Sequence, residues 1–220
     1  MNNRICVSIG EANFTTCMKL AAMFPLVEIR FDLMQLDDEK IRQLADRCRQ
    51  WIATCRKGKY ADRERAAQLT TAICAGATYV DVEYEAEEAY RKSLTDIAKA
   101  NGTQVIVSYH NFDATPEISA LTTVVQQSLD MGADWVKLAV TARSPADVAK
   151  VMSLYGQCNR LIAFAMSDIG KISRITAPFL GAPFTFASID DFRTTAPGQL
   201  SANKMQKIFD IILNPIWGKL

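Results

Sequence analysis

The sequence predicts a single-domain (β/α)8 TIM barrel over residues 1–220. Three observations predict it. Eight short apolar segments alternate with longer stretches, several of them amphipathic at helical spacing, and such alternation marks parallel βα units. The 220 residues lie near the lower bound for one β/α barrel and are ample for one sizeable core. No Ser/Pro/Gly-rich or low-complexity stretch marks a linker. A six-stranded doubly wound sheet is the competing architecture, but no G-x-G-x-x-G follows the first strand.

Taken in order, the first strand is expected at Arg4–Ile9 and the second at Leu26–Phe31, followed by an amphipathic stretch over Asp37–Arg49. The third strand is Trp51–Arg56, with a helical pattern over Asp62–Ala75. The fourth is Tyr79–Glu83 and the fifth Gln104–Tyr109, followed by the helical stretch Pro116–Met131. The sixth is Trp135–Ala139, followed by Pro145–Leu154. Leu161–Met166 and Phe184–Ala187 complete the set. The last helix reads most clearly, because Met205, Ile208, Phe209 and Ile212 recur at helical spacing. One internal echo supports repetition: Gly76-Ala77-Thr78-Tyr79-Val80-Asp81 resembles Gly132-Ala133-Asp134-Trp135-Val136-Lys137. In each, Gly-Ala would end a helix and hand over to a strand.

Composition excludes several classes. Lys plus Arg (25) nearly cancels Asp plus Glu (24), so no bulk attraction to nucleic acid or to a membrane is expected. The opening apolar run is too short for a signal peptide. The uncharged stretch between Arg174 and Asp190 holds prolines and polar residues and does not read as a membrane span. Cys6, Cys17, Cys48, Cys55, Cys74 and Cys158 form no C-x-x-C pair, and there is one histidine, so no metal site is expected. Most of these cysteines read as small core residues of a protein in a reducing, cytoplasmic compartment.

The chemistry lies on the strands. Side chains alternate faces along a strand, so Glu28, Arg30 and Asp32 share a face opposite Val27, Ile29 and Phe31. The outer face of a barrel strand meets helices and is apolar. The charged face must therefore point inward or lie at the C-terminal mouth, where such barrels carry their active sites. By the same rule Thr54 pairs with Arg56, Asp81 with Glu83, Ser108 with His110, Phe164 with Met166, and Phe184 and Phe186 with Ser188. Any one charged residue could be a structural ion pair; convergence from five strands points instead to a site. Lys137, inside Trp-Val-Lys-Leu-Ala-Val, is the sharpest case. It is either paired with an inward carboxylate such as Glu83 or Glu28, or an amine kept neutral enough to attack a carbonyl. His110, at the C-terminal end of its strand, is a candidate general base.

These residues resemble, in order and spacing, the type I 3-dehydroquinate dehydratase family. Glu28-Ile29-Arg30-Phe31-Asp32, Thr54-Cys55-Arg56, Asp81-Val82-Glu83 and Ser108-Tyr109-His110-Asn111-Phe112 are similar to its successive strand-end motifs. Val136-Lys137-Leu138-Ala139 and the segment from Met166 to Arg174 continue the match, as do Phe186 and Ala196-Pro197-Gly198-Gln199. The resemblance implies dehydration of 3-dehydroquinate to 3-dehydroshikimate in the shikimate pathway. Lys137 would form a Schiff base and His110 would act as general acid and base. Arg174 would grip the substrate carboxylate, and Glu28, Arg30, Arg56, Met166, Phe186, Thr195, Ala196 and Gln199 would complete the substrate site. It implies no cofactor, no metal, and a homodimer. One departure stands out. The family has a glutamate four residues after the third-strand arginine, beside the histidine, and this chain has Tyr60. Glu83 is the first candidate partner for His110, with Tyr60 next and Asp62 as a residue that instead begins a helix. The competing readings are another class I Schiff-base aldolase-type barrel and a catalytically impaired homologue that binds a small acid.

Overall fold

Among the described residues eight strands and eight α-helices alternate: β1 Ile5–Ile9, α1 Phe14–Met23, β2 Leu26–Arg30, α2 Asp38–Ala45, β3 Gln50–Thr54, α3 Asp62–Cys74, β4 Tyr79–Glu83 and α4 Glu88–Ala100. They continue with β5 Gln104–Asn111, α5 Ile118–Asp130, β6 Trp135–Thr141, α6 Pro145–Ser153, β7 Leu161–Met166, α7 Lys171–Leu180, β8 Thr185–Ser188 and α8 Ala202–Leu213. The computed structural model describes residues 4–11 and 13–213; the assignment of one domain to 1–220 also takes in 1–3, 12 and 214–220, which lie outside the described residues. Every ladder is parallel, and the strand order is β7-β6-β5-β4-β3-β2-β1-β8. The eight strands thus wrap into a nearly closed barrel. Among the described residues no ladder joins β7 to β8. At that seam the Phe164 and Phe186 rings meet, 5.9 Å between centroids.

Alternation along each strand sorts the side chains into two layers. Val27, Ile29, Val80, Val82, Val105, Val107, Val136 and Leu138 point outward and pack under helix residues such as Leu20, Ile41, Leu69, Leu94, Leu121, Val151 and Phe209. Burying each such aliphatic or aromatic side chain contributes about 1.5–3 kcal/mol, which is what holds the helices on the sheet. The inward layer begins apolar: Cys6, Leu26, Ile52, Ile106, Ile162 and Phe184 fill the lower barrel. Two residues further along the strands, the same face carries Ser8, Glu28, Thr54, Asp81, Ser108 and Lys137, all buried. An apolar floor therefore lies beneath a charged upper layer.

Several boundaries differ from the sequence reading. β2 stops at Arg30 because Phe31–Leu33 wind into a 3-10 turn, closed by Met34 N–H donating to the Phe31 carbonyl at 3.0 Å. β5 and β6 run on to Asn111 and Thr141 because they keep pairing, from Ile106↔Trp135 to Asn111↔Val140. The stretch expected as helical over Asp37–Arg49 is helical only to Ala45. Three helices had not been singled out. α1 is announced by its cap, Asn13, whose side chain accepts from Thr16 N–H at 2.9 Å. α7 carries Pro178 inside it, a residue that argues against a helix when only the sequence is read. α4 is amphipathic but charged at its start. The internal echo is structural: Gly76 (φ +87) and Gly132 (φ +92) take the left-handed backbone that closes α3 and α5. Ala77 and Ala133 N–H then donate back to Ala72 and Ser128. Cys6, Cys17 and Cys55 are buried, but Cys74 is exposed, on the outer face of α3. No described helix is long and apolar enough to cross a membrane.

Candidate active site

A cavity of about 460 Å³ opens at the C-terminal ends of the strands, within the usual range for small-molecule sites. Its wall brings together Glu28, Arg30, Arg56, Glu83, His110, Lys137, Met166, Arg174, Phe186, Thr195, Ala196 and Gln199. Of the other residues singled out in the sequence, Asp32, Phe112, Ala139 and Phe164 line it, whereas Thr54, Tyr60, Asp62, Asp81, Ser108, Phe184 and Ser188 do not; Lys57 and Glu85 line it without having stood out in the sequence.

Lys137 sits at the centre, 4 % exposed. Its Nζ donates to Asp81 at 3.1 Å, lies 3.6 Å from Glu28, and stands 4.0 Å above the Phe186 ring. The expected carboxylate neighbours were Glu83 or Glu28; Asp81 takes the place of Glu83. The barrel's curvature brings β4 toward β6 one layer below Glu83, a cross-barrel relation that strand order does not show. Asp81 also accepts both Arg56 amino groups, at 2.8 and 2.6 Å, and the Ser108 hydroxyl at 2.5 Å. Glu28 accepts from the hydroxyls of Ser8 and Thr54. Burial alone would raise both carboxyls. For Asp81, Arg56 and Lys137 outweigh it and hold the group well below the usual carboxylate range; for Glu28, Lys137, Arg30 and Arg56 outweigh it and lower the group. Two anions and two cations thus form one buried, mutually satisfied group. Arg30 is held separately, its guanidinium forked onto Asp32 at 3.0 and 2.6 Å.

Arg174 is the exception. It is fully buried on α7, and its Nε and Nη1 have no partner. Nη2 donates to the Pro197 carbonyl at 3.1 Å, and the guanidinium lies 4.2 Å over Phe164. Burial pushes its pKa down to about 10. A buried guanidinium in the cavity wall, with no carboxylate partner and with donors left unpaired, suits an anion.

His110 extends from β5, its ring stacked on Phe112 at 6.1 Å and 15°. Burial, then the charges of Arg56 and Lys137, hold its pKa well below 6.5, so the imidazole is neutral. Its expected partners are engaged elsewhere. The Tyr60 hydroxyl donates to the Met34 carbonyl at 2.5 Å and does not reach the histidine. One Glu83 oxygen accepts Lys57 N–H at 3.2 Å and the other accepts Arg65. Asp62 opens α3 and takes a second Arg65 nitrogen at 2.7 Å. Arg65, on α3 and almost wholly buried, had not been singled out; its side chain also donates to the Cys55 carbonyl at 2.9 Å.

The loop after β8 forms the roof. Gln199 folds back on it, accepting Thr195 N–H at 2.8 Å. At Gly198 a Cβ would meet the Ser167 carbonyl oxygen at 2.3 Å, so the residue must be glycine for the roof to sit on the β7 end. Among the described residues no group of three His, Cys, Asp or Glu side chains is arranged to hold a metal ion.

Comparison with known proteins adds the following. A family described as type I 3-dehydroquinase matches residues 5–214. A 3-dehydroquinate dehydratase of Desulfotalea psychrophila is 31 % identical over 223 residues, covering 94 % of this chain and 97 % of that one. One from Dehalococcoides mccartyi is 32 % identical over 218 residues, covering 94 % and 95 %. The crystal structure of 3-dehydroquinate dehydratase from Geobacillus kaustophilus superimposes with a TM-score of 0.86 at 22 % identity, covering 97 % of this chain and 92 % of that one, a likeness of fold.

Proposed function

The chain belongs to the type I 3-dehydroquinase family, and from that premise we propose that it is a hydro-lyase converting 3-dehydroquinate to 3-dehydroshikimate through a Schiff base on Lys137. The observation that carries this reading is one cavity holding a buried amine, a neutral histidine on the adjacent strand, and an arginine without a carboxylate partner.

Arg174 takes the substrate carboxylate in a two-point fork, which places the ring ketone toward β6. Lys137 gives a proton to neutral His110 and adds through Nζ to the carbonyl carbon. The protonated histidine returns that proton to the carbinolamine oxygen as water leaves, and an iminium remains. The iminium withdraws electrons from the adjacent C–H, and His110 removes that proton to give an enamine. The enamine electrons then expel the hydroxyl, which leaves as water with the proton from His110. Hydrolysis of the conjugated iminium consumes one water and frees Lys137 and the product, so one water is lost overall. Glu28, Arg30, Arg56 and Gln199 hold the hydroxyls and the ring orientation. The free cysteines support placement in a reducing cytoplasm. A homodimer follows from the family resemblance and is checked by light scattering.

Borohydride reduction in the presence of 3-dehydroquinate tests the reading. The expected result is a stable adduct mapped to Lys137, none in Lys137→Ala, and growth of enone absorbance with the wild-type protein. An adduct in Lys137→Ala would move the nucleophile elsewhere. Trapping by sugar phosphates instead would favour an aldolase-type barrel, and no adduct with any carbonyl would leave a small-acid binder.

A further inference from the structure

A histidine that gives and takes a proton several times in one turnover needs its other ring nitrogen held, and a carboxylate there also steadies the imidazolium. The cavity wall carries four carboxylates, and three are committed. Glu28 serves Ser8, Thr54 and Lys137. Asp32 is forked by Arg30. Glu83 is held by Lys57 N–H and by Arg65, which Asp62 and the Cys55 carbonyl fix in turn. Asp81, one layer deeper, is filled by Arg56, Ser108 and Lys137. Of these four, Glu85 is the one that makes no bond to another side chain among the described residues.

Its place follows from the register of β4 on β5. Glu83 faces Ser108, and Tyr84 N–H donates to the Ser108 carbonyl at 2.8 Å. Two residues further along the two chains come Glu85, in the turn that follows β4, and His110, near the end of β5, and both line the cavity. A turn closed by Ala86 N–H on the Glu83 carbonyl, at 3.1 Å, holds Glu85 at the rim.

We propose that Glu85 is the positioning residue for His110, accepting the imidazole N–H that faces away from the substrate. This rests on the dehydratase reading above. The cations around His110 are Arg30, Arg56 and Lys137, and Asp81 is the anion below it. Those cations disfavour an imidazolium, so an added anion at the rim matters for the proton cycle. Partial burial and the charge of Glu83 raise the Glu85 carboxyl above its ordinary value. The Arg65 clamp completes the arrangement, because it ties Glu83 to α3 and leaves the rim position to Glu85.

The test is the pH dependence of kcat and kcat/KM for 3-dehydroquinate in wild type, Glu85→Gln and Glu85→Asp, with borohydride trapping on each. Glu85→Gln keeps the shape and removes the charge. The expected result is a kcat lower by about 10²-fold, the low end of the scale for acid–base groups, with KM nearly unchanged and imine trapping retained. The acid limb of kcat/KM moves to lower pH, since a lost carboxylate makes His110 harder to protonate. Glu85→Asp recovers part of kcat and of the limb. A wild-type acid limb in Glu85→Gln overturns the proposal, whether kcat is kept or KM rises, because the carboxylate then acts on substrate or on nothing. If wild type itself neither traps nor dehydrates 3-dehydroquinate, the underlying reading fails, and this proposal with it.

Discussion

Arg174 and Arg56 are both buried guanidiniums, yet removing them should change stability in opposite directions. Arg56 is forked onto Asp81, whose side chain is fully buried. Arg56→Met leaves that carboxylate with Lys137 as its one paired cation beside the Ser108 hydroxyl, and breaking such a buried pair costs about 3–5 kcal/mol. Arg174 has no carboxylate. Burial pushes its pKa from the ordinary arginine value down to about 10, so keeping it charged at neutral pH costs about 3 kcal/mol at 1.36 kcal/mol per pKa unit. Its seat over Phe164 returns about 2 kcal/mol of this, the figure for a desolvated cation on a ring. The bond to the exposed Pro197 carbonyl is exchanged for water. Methionine keeps much of the length and rests its sulfur on the same ring. Arg174→Met should therefore stabilise the ligand-free protein by about 1 kcal/mol, roughly 2–4 °C in the thermal midpoint for a chain of this size. Urea and thermal unfolding with and without 3-dehydroshikimate measure both effects. At a hundredfold excess over Kd the product should stabilise wild type by about 2.7 kcal/mol, and Arg174→Met should lose most of that. Destabilisation by Arg174→Met on the scale of Arg56→Met would refute the reasoning, since the guanidinium would then be paired.

Three other expectations follow from the same geometry. His110→Ala should still form the imine and lose about 10²–10⁴-fold in turnover; a near wild-type rate would sink its role. Burial, Arg56 and Lys137 place the free His110 pKa well below 6.5. The neutral form is the base, so kcat/KM should hold level from neutral pH down through 6.5 and fall only below it. The unfolded chain takes up this proton near 6.5 and the folded site refuses it. This residue therefore removes stability as pH drops below 6.5, and an acid limb at or above 6.5 contradicts the electrostatics. Tyr60→Phe breaks one bond to the Met34 carbonyl and should cost about 0.5–1.5 kcal/mol of stability with no change in the pH profile. A displaced limb would put the phenol at the histidine.

What the sequence made legible is whatever follows from period two and from the order of elements. A strand reading Glu28-Ile29-Arg30 between apolar flanks can only be inward-charged, and Lys137 in an apolar strand can only be buried. Both follow from alternation on a sheet that helices cover. Contacts across the barrel are not legible in this way. That Lys137 meets Asp81 and not Glu83 depends on how far neighbouring strands slide past one another, and no single strand encodes this. Tyr60 shows the same limit for loops. Its place in the sequence put it beside His110, but the loop folds it onto Met34. Glu85 lies just past the end of β4, in the turn that follows it, where strand alternation no longer says which way a side chain points.

The balance of charge at the mouth fixes the direction in which an acid substrate enters. Glu28 and Asp81 offset Lys137 and Arg56, Asp32 offsets Arg30, and Glu83 offsets Arg65. Arg174 is the fully buried cation left without a carboxylate among the described residues. A carboxylate placed on Arg30, Arg56 or Lys137 would have to displace an anion already held, losing about as much as it gains. At Arg174 it relieves an existing cost, so affinity and orientation have one source. On the proposed reading the ring then spans from α7 to β6 and β5. There Ser108 pairs with Lys137 and His110 with Ala139 in the ladder, so the amine and the imidazole lie one step apart on adjacent strands. Both approach from the same wall. One histidine can therefore remove the proton and deliver it to the hydroxyl only if both leave from the same face of the ring. Substrate deuterated stereospecifically at the reacting carbon checks this: loss of the label on the hydroxyl's face is the expected outcome, and loss from the opposite face would require a second base that this wall does not offer.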